Sequence, residues 1–173
     1  MTSTRPDLKI EALASHHDRD GFSCGVDSLD RDLRTQASQS VRRKVNGVFI
    51  LTEPTRPSTV LGYYTLCATA LSQGDVPLAA RKHVPRYPLV SATLVGRLAV
   101  AQDRHGEHLG AMLLADAVRR ADASAGTVGS SMLVMDAINA RAVAFYESHG
   151  FARLPDSQRL VLPMATILRL VEP

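Results

Sequence analysis

Two glycines four residues apart, Gly106 and Gly110, stand in the stretch RHGEHLGAMLL (104–114), directly behind the apolar run LVGRLAV (94–100). A strand that ends in a glycine turn and opens into a helix is suited to hold an anion. The first N–H groups of the helix have no intrahelical acceptor and carry a partial positive charge, so phosphate oxygens can be bound by main chain alone. Gly106 and Gly110 let that main chain approach closely, and the basic neighbours Arg104, His105 and His108 add attraction. The spacing is neither G-x-x-x-x-G-K-[ST] nor G-x-G-x-x-G, which argues against a nucleoside triphosphate loop and against a dinucleotide fold. An ordinary strand-to-helix loop would read the same way.

The second stretch with chemistry is AFYESHGF (144–151). Tyr146 lies one helical turn from Ala142 and beside Phe145, a pattern that fits a core tyrosine or a phenol placed to give up a proton. Asn139 reads as the N-cap of this helix and Gly150 as its left-handed C′ residue. His105 and His108 are spaced as a metal pair could be, but no third ligand is near and neither Cys24 nor Cys67 belongs to a C-x-x-C, so no metal is expected. His16, His17 and His83 read as partnerless surface residues. Two basic runs, Arg42-Arg43-Lys44 and Arg81, Lys82 with Arg86, read as solvated faces or as contacts to nucleic-acid phosphates.

These residues need a scaffold. The 173 residues suit one domain spanning 1–173, and 45% hydrophobic with 21% charged residues is the balance of a globular protein. The net charge of +3 permits an anionic partner without requiring one. The N-terminal MTSTRPDLKI lacks the apolar core of a signal peptide and no run is long enough to span a membrane, so a cytoplasmic protein with reduced cysteines is expected. Strands are predicted at 8–13, 47–53, 59–71, 89–100 and 131–137, the second and third as a hairpin, with Gly96 at a bulge or bend. FARL and QRLVLPM read as two short closing strands. Asp27 is the expected N-cap of a helix within 26–44, with Val26, Leu29, Leu33 and Ala37 as its apolar stripe. A second helix carries Leu109, Met112, Leu113, Ala117, Val118 and Ala121 on one face, and 77–88 is a short helix or an irregular crossing. The order gives a mixed α/β (α+β) sheet with helices on it.

Together, GRLAVAQDRHGEHLGAMLLADA and MLVMDAINARAVAFYESHGF resemble the GNAT superfamily of N-acetyltransferases. The later stretch matches its N-x-x-A-x-x-F-Y-x-x-x-G-F pattern at Asn139, Ala142, Phe145, Tyr146, Gly150 and Phe151. In the glycine motif, R/Q-x-x-G-x-G/A, His105 takes the Arg/Gln slot and His108 the first glycine slot, both departures. HHDRDGFSCGVDSLDRDLRTQAS, VLGYYTL and PRYPLVSATLVGRLAV further resemble the acetyltransferase toxins of bacterial toxin–antitoxin pairs, from about Leu8 to Thr166. The resemblance implies a three-layer fold with a mostly antiparallel sheet and splayed central strands. It implies acetyl-CoA as co-substrate, its diphosphate on Arg104 to Ala111 (Glu107 and Leu109 included), its pantetheine arm along Leu98, Ala99 and Val100, with Asn139 and Phe145 near the cofactor. It also implies Tyr146 as the catalytic acid, aminoacyl-tRNA as acceptor, a ribbon-helix-helix antitoxin as partner and a homodimer. A GNAT enzyme acting on another amine and a non-catalytic CoA-binding domain are the alternatives.

Overall fold

The apolar runs read as strands pair into one sheet. The computed structural model describes residues 7–83 and 86–171, and among them the strands are β1 (Lys9–Ala12), β2 (Gly47–Thr52), β3 (Gly62–Ser72), β4 (Leu89–Val100), β5 (Met132–Asp136), β6 (Ala152–Arg153) and β7 (Arg159–Pro163). Their order is β1-β2-β3-β4-β5-β7-β6. The pairs β1·β2, β5·β7 and β6·β7 are antiparallel and β4·β5 is parallel, so the sheet is mixed and mostly antiparallel, with helices flanking it. The β4·β5 register runs from Ala92↔Met132 to Val95↔Met135, while β4 itself continues through Gly96 to Val100.

The chain divides into two compact units, one built on the chain up to Thr65 plus Arg97–Asp116, the other on Leu66–Gly96 plus the chain from Ala117. In the first, Phe22, Leu33, Ala37, Val48, Ile50, Tyr63 and Ala99 form the core, with Val26 and Leu29 partly buried against it. The stripe read from the sequence is therefore the buried one. The helix that carries it is not uniform: α1 (Asp27–Arg31) passes through a π-helical turn, Asp32–Gln36, into α2 (Ala37–Arg42). Asp27 is not the cap. Val26 holds that position in an extended conformation with no side-chain bond, because its apolar side chain is drawn onto the core. Asp30 supplies the local carboxylate instead, accepting the Cys24 N–H at 2.9 Å.

In the second unit, Val76, Ala80, Val90, Ala92, Met132, Val134 and Val161 form the core, and Ala80 brings to it the short helix α3 (Leu78–Arg81). Met132 to Met135 are all buried, as expected of a strand with both faces covered. The longest helix, α4 (Leu109–Ala125), buries Leu109, Leu113, Leu114, Ala117, Val118 and Ala121. Leu114 takes the buried place expected of Met112, which is only half-buried. After α5 (Ala140–Ser148) and the β6–β7 hairpin, the chain does not end on a strand. Pro163 closes β7 and Met164–Val171 forms α6, with the Thr166 hydroxyl donating to the Pro163 carbonyl at 2.7 Å. The β-branched residues of ATILRLV hide the helical period, and this last turn is set by the proline.

Gly62 is required by space. A Cβ there would stand 2.8 Å from the Ala99 carbonyl oxygen and 2.9 Å from Leu113 Cδ1. Because backbone cannot step aside cheaply, Gly62→Ala should lower stability by about 1–3 kcal/mol, the usual cost of overpacking. Urea denaturation measures it, and unchanged stability would refute the packing argument.

Candidate active site

The glycine turn of the first unit has the form an anion needs. Gly106 has φ +87° and His108 φ +61°, so two left-handed residues swing the chain from β4 into α4. A Cβ at Gly106 would meet nothing within 4 Å, so conformation, not space, selects glycine there. His108 holds the same region with a side chain, and its carbonyl accepts the Met112 N–H at 3.3 Å. The N–H groups of Leu109, Gly110 and Ala111 find no acceptor among the described residues. At the mouth of a helix of 17 residues these are donors awaiting an anion.

Two of the basic side chains, Arg104 and His105, are engaged by neighbouring residues. Arg104 Nε binds Glu107 Oε2 at 2.6 Å and Nη1 reaches Glu53 Oε2 at 3.3 Å, and the hydrogen bond to Glu107, ahead of that to Glu53, raises its pKa. The guanidinium is thus spent on two carboxylates. His105 Nε2 lies 2.9 Å from the Val100 carbonyl, which ties the turn to the end of β4. Gln102 N–H adds a bond to Ser23 O at 2.8 Å. Glu53 was missed by sequence reasoning, since nothing local links it to a turn 51 residues on.

Leu98 and Val100 are half-buried and Ala99 is buried in the first unit. Arg97, just before them, forms an ion pair from Nε to Asp32 Oδ2 at 3.2 Å, and its backbone N–H donates to the Thr65 hydroxyl at 3.1 Å. Burial raises the Asp32 carboxyl against the lowering effect of Arg97. This pair was also missed, although a lone arginine inside an apolar strand is a legible signal.

Asn139, Phe145 and Tyr146 belong to the second unit. Asn139 Oδ1 accepts the Ala142 N–H at 2.9 Å, and Gly150 has φ +94°, so α5 is capped as read. Tyr146 is 5% exposed, packed on Phe145 and Phe151 at ring-centre distances of 5.3 and 6.1 Å. Its hydroxyl has no partner among the described residues, yet it is not sealed in. Tyr63 and Tyr64, both fully buried, show the other case: their hydroxyls donate to Leu29 O at 2.6 Å and Asp116 Oδ2 at 2.5 Å. Burial alone lifts the Tyr146 pKa to about 12.

His17 corrects the surface reading: its side chain is 0% exposed. It accepts the Ala14 N–H on Nδ1 at 2.9 Å, so Nε2 carries the proton and faces Glu11 Oε1, also at 2.9 Å. His16 Nε2 lies 3.3 Å from the same oxygen. Glu11, His16 and His17 each bring a ligand atom within 4.8 Å of the others, but a metal would need the lone pair that His17 Nε2 has given to its proton. His17 closes through its hydrogen bonds to Ala14 and Glu11. Arg42, Arg43 and Lys44 are exposed where α2 ends, in the first unit, with Lys44 left-handed at φ +58°. Arg81, Lys82 and Arg86 are exposed in the second, with His83 half-buried.

Two measurements test these environments. A left-handed side chain costs about 1–2 kcal/mol, and glycine returns about 0.4–1 through the unfolded chain. His108→Gly should therefore stabilise the protein by about 1 kcal/mol, and a lower Tm would contradict the strain argument. Glu11 is held at about 2, below the ordinary 4.5, by hydrogen bonds from Lys9 and then His17. A depressed carboxylate stabilises above its unfolded pKa and loses that contribution as pH falls through the folded one. Between pH 4.5 and 2, Glu11→Gln should flatten the acid loss of stability relative to wild type; identical slopes would refute the assignment.

Residues 60–153 match the model of the acetyltransferase (GNAT) domain. A tRNA-acetylating toxin of Mycobacterium tuberculosis is 32% identical over 160 residues, covering 92% of this chain and 93% of its own. The structure of AtaT complexed with acetyl-methionyl-tRNAfMet is 32% identical with a TM-score of 0.87, over 96% of this chain and 100% of that one. A tyrosine-to-phenylalanine mutant of the AtaT toxin, bound to the C-terminus of the antitoxin AtaR and acetyl-CoA, is 29% identical with a TM-score of 0.80, over 96% and 99%. With its turn, its sheet and these relatives in agreement, the chain belongs to the GNAT acetyltransferase family and is closely related to the tRNA-acetylating toxins.

Proposed function

We propose that this protein is a toxin that transfers the acetyl group of acetyl-CoA to the α-amine of an aminoacyl-tRNA and so blocks translation. The observation that carries the reading is the buried Tyr146 ring, its hydroxyl without a partner among the described residues, on an intact N-x-x-A-x-x-F-Y helix. The relatives supply the acceptor, since AtaT was solved with acetyl-methionyl-tRNAfMet and, as a tyrosine-to-phenylalanine mutant in another structure, with acetyl-CoA. A ribbon-helix-helix antitoxin is the partner in this reading; an antitoxin of some kind is supported by likeness to AtaT, solved with the C-terminus of the antitoxin AtaR. The protein acts in the cytoplasm as a homodimer, each copy a single acetyltransferase domain. No helix among the described residues is long and apolar enough to cross a membrane.

The residues present fit acetyl-CoA. The free N–H groups of Leu109, Gly110 and Ala111, with the left-handed turn before them, receive its diphosphate. Arg104, His105 and Glu107 hold that turn in shape through Glu53 and Val100. Leu98, Ala99 and Val100, where β4 runs on past its register with β5, offer main chain to the pantetheine arm. When bound, acetyl-CoA supplies the acetyl group and leaves as a thiol. A neutral α-amine attacks unaided, because α-amino groups titrate near pH 8 and water can take the proton. Tyr146, wholly protonated at neutral pH, donates to the departing sulfur and regains its proton from solvent. Arg42, Arg43, Lys44, Arg81, Lys82 and Arg86 serve the tRNA phosphates.

Tyr146→Phe keeps the ring and its packing and removes only the hydroxyl. Acetyl-CoA affinity and Tm should stay near wild type while kcat falls by about 10²–10⁴, the usual worth of a positioned proton donor. Because the phenol is held at about 12, the basic limb of wild-type activity should show no loss near pH 10. Mass spectrometry of tRNA-linked products reads both, and a fully active phenylalanine variant would remove Tyr146 from the chemistry.

A further inference from the structure

One charged pair of the first unit lies where an apolar strand gives no reason for it. Arg97 interrupts LVGRLAV, and the Asp32 side chain that pairs with its Nε at 3.2 Å is only 12% exposed. Taking two charges out of water offsets most of what their attraction returns, so stability is a poor explanation for such a pair. Asp32 also opens the π-helical turn Asp32–Gln36, and a π turn within an α-helix is frequently found at a functional site. Arg97 is held a second time, through its backbone N–H, by the hydroxyl of the buried Thr65 at 3.1 Å. Helix and strand thus grip the same residue, one by its side chain and the other by its main chain.

The alternation of the strand says what this grip fixes. The N–H groups of Arg97 and of Ala101, just beyond β4, both turn to the β3 side, to the Thr65 hydroxyl and to Leu61 O at 2.8 Å. Main-chain groups alternate along a strand, so Leu98 and Val100 turn theirs to the opposite side. On that side the pairing with β5 ends at Val95, which leaves the N–H groups of Leu98 and Val100 past the last paired residue. Main chain without a neighbouring strand accepts an extended chain of amides, and the pantetheine arm is one. A strand paired along one edge only is free to twist. We infer that Asp32 and Thr65 are positioning residues for acetyl-CoA, clamping Arg97 so that the main chain of Leu98 and Val100 faces the pantetheine arm; the inference rests on the acetyl-CoA reading above.

The test uses the full chain and two ligands followed by calorimetry: acetyl-CoA, and 3′-phospho-ADP, which keeps the diphosphate and lacks the pantetheine arm. Asp32→Asn keeps the shape and removes the charge, and Thr65→Val removes the hydroxyl. Each should weaken acetyl-CoA about tenfold, the worth of one well-placed hydrogen bond, and leave 3′-phospho-ADP bound as by wild type. Thr65→Ser retains the hydroxyl and should bind both ligands as wild type does. A variant that merely loosens the fold would lose both ligands together. That result, or unchanged acetyl-CoA binding in Asp32→Asn and Thr65→Val, would overturn the clamp and leave the acetyl-CoA reading standing. A wild-type protein that holds acetyl-CoA no tighter than 3′-phospho-ADP would instead strike the pantetheine reading of β4, and the clamp with it.

Discussion

A helix cannot satisfy its own first N–H groups, and in this protein nothing else among the described residues satisfies those of α4. The turn before it is built to keep them free. A bend made of two left-handed residues would be soft if left to itself, so the chain stakes it from outside. Arg104 reaches back to Glu53 at the end of β2, His105 to the Val100 carbonyl, and Gln102 N–H to Ser23. The basic residues therefore set the geometry of the turn. The Arg104 charge is met by the carboxylates of Glu107 and Glu53, and His105 ties the turn to the Val100 carbonyl.

The tyrosines divide by the same rule of polar satisfaction. Tyr63 and Tyr64 each bury a ring and spend the hydroxyl on a specific acceptor, which makes them structural. Tyr146 buries its ring nearly as deeply, and among the described residues nothing accepts from its hydroxyl. A satisfied hydroxyl fixes a core; an unsatisfied one that can still be reached is available to a reactant.

Much of the fold was legible because its signals are local. The apolar runs gave the strands to within a few residues, Asn139 and Gly150 bounded α5, and the Leu33–Ala37 stripe survived the π turn that sequence reading did not foresee. What stayed hidden depends on partners far along the chain. The tie from Arg104 to Glu53 has no local trace in the sequence, and His17 looks exposed until Glu11 and the Ala14 N–H enclose it. The failure at α6 was a different kind, since β-branched residues after a strand mask a helical period. The candidate site was legible as two motifs, and illegible wherever a side chain's role is decided by what neutralises it.

His108 has an evolutionary consequence. Its φ of +61° restricts the position to residues that tolerate the left-handed region, chiefly Gly, Asn and Asp beside histidine itself. A histidine codon reaches Asn or Asp through a single base change but reaches Gly only through two. Neutral drift at this position is thus channelled toward Asn and Asp, and of these Asp would set a carboxylate beside the unpaired first N–H groups of α4, where the proposed diphosphate would lie. Natural variants should accumulate Asn here, with aspartate kept out by charge and not by shape.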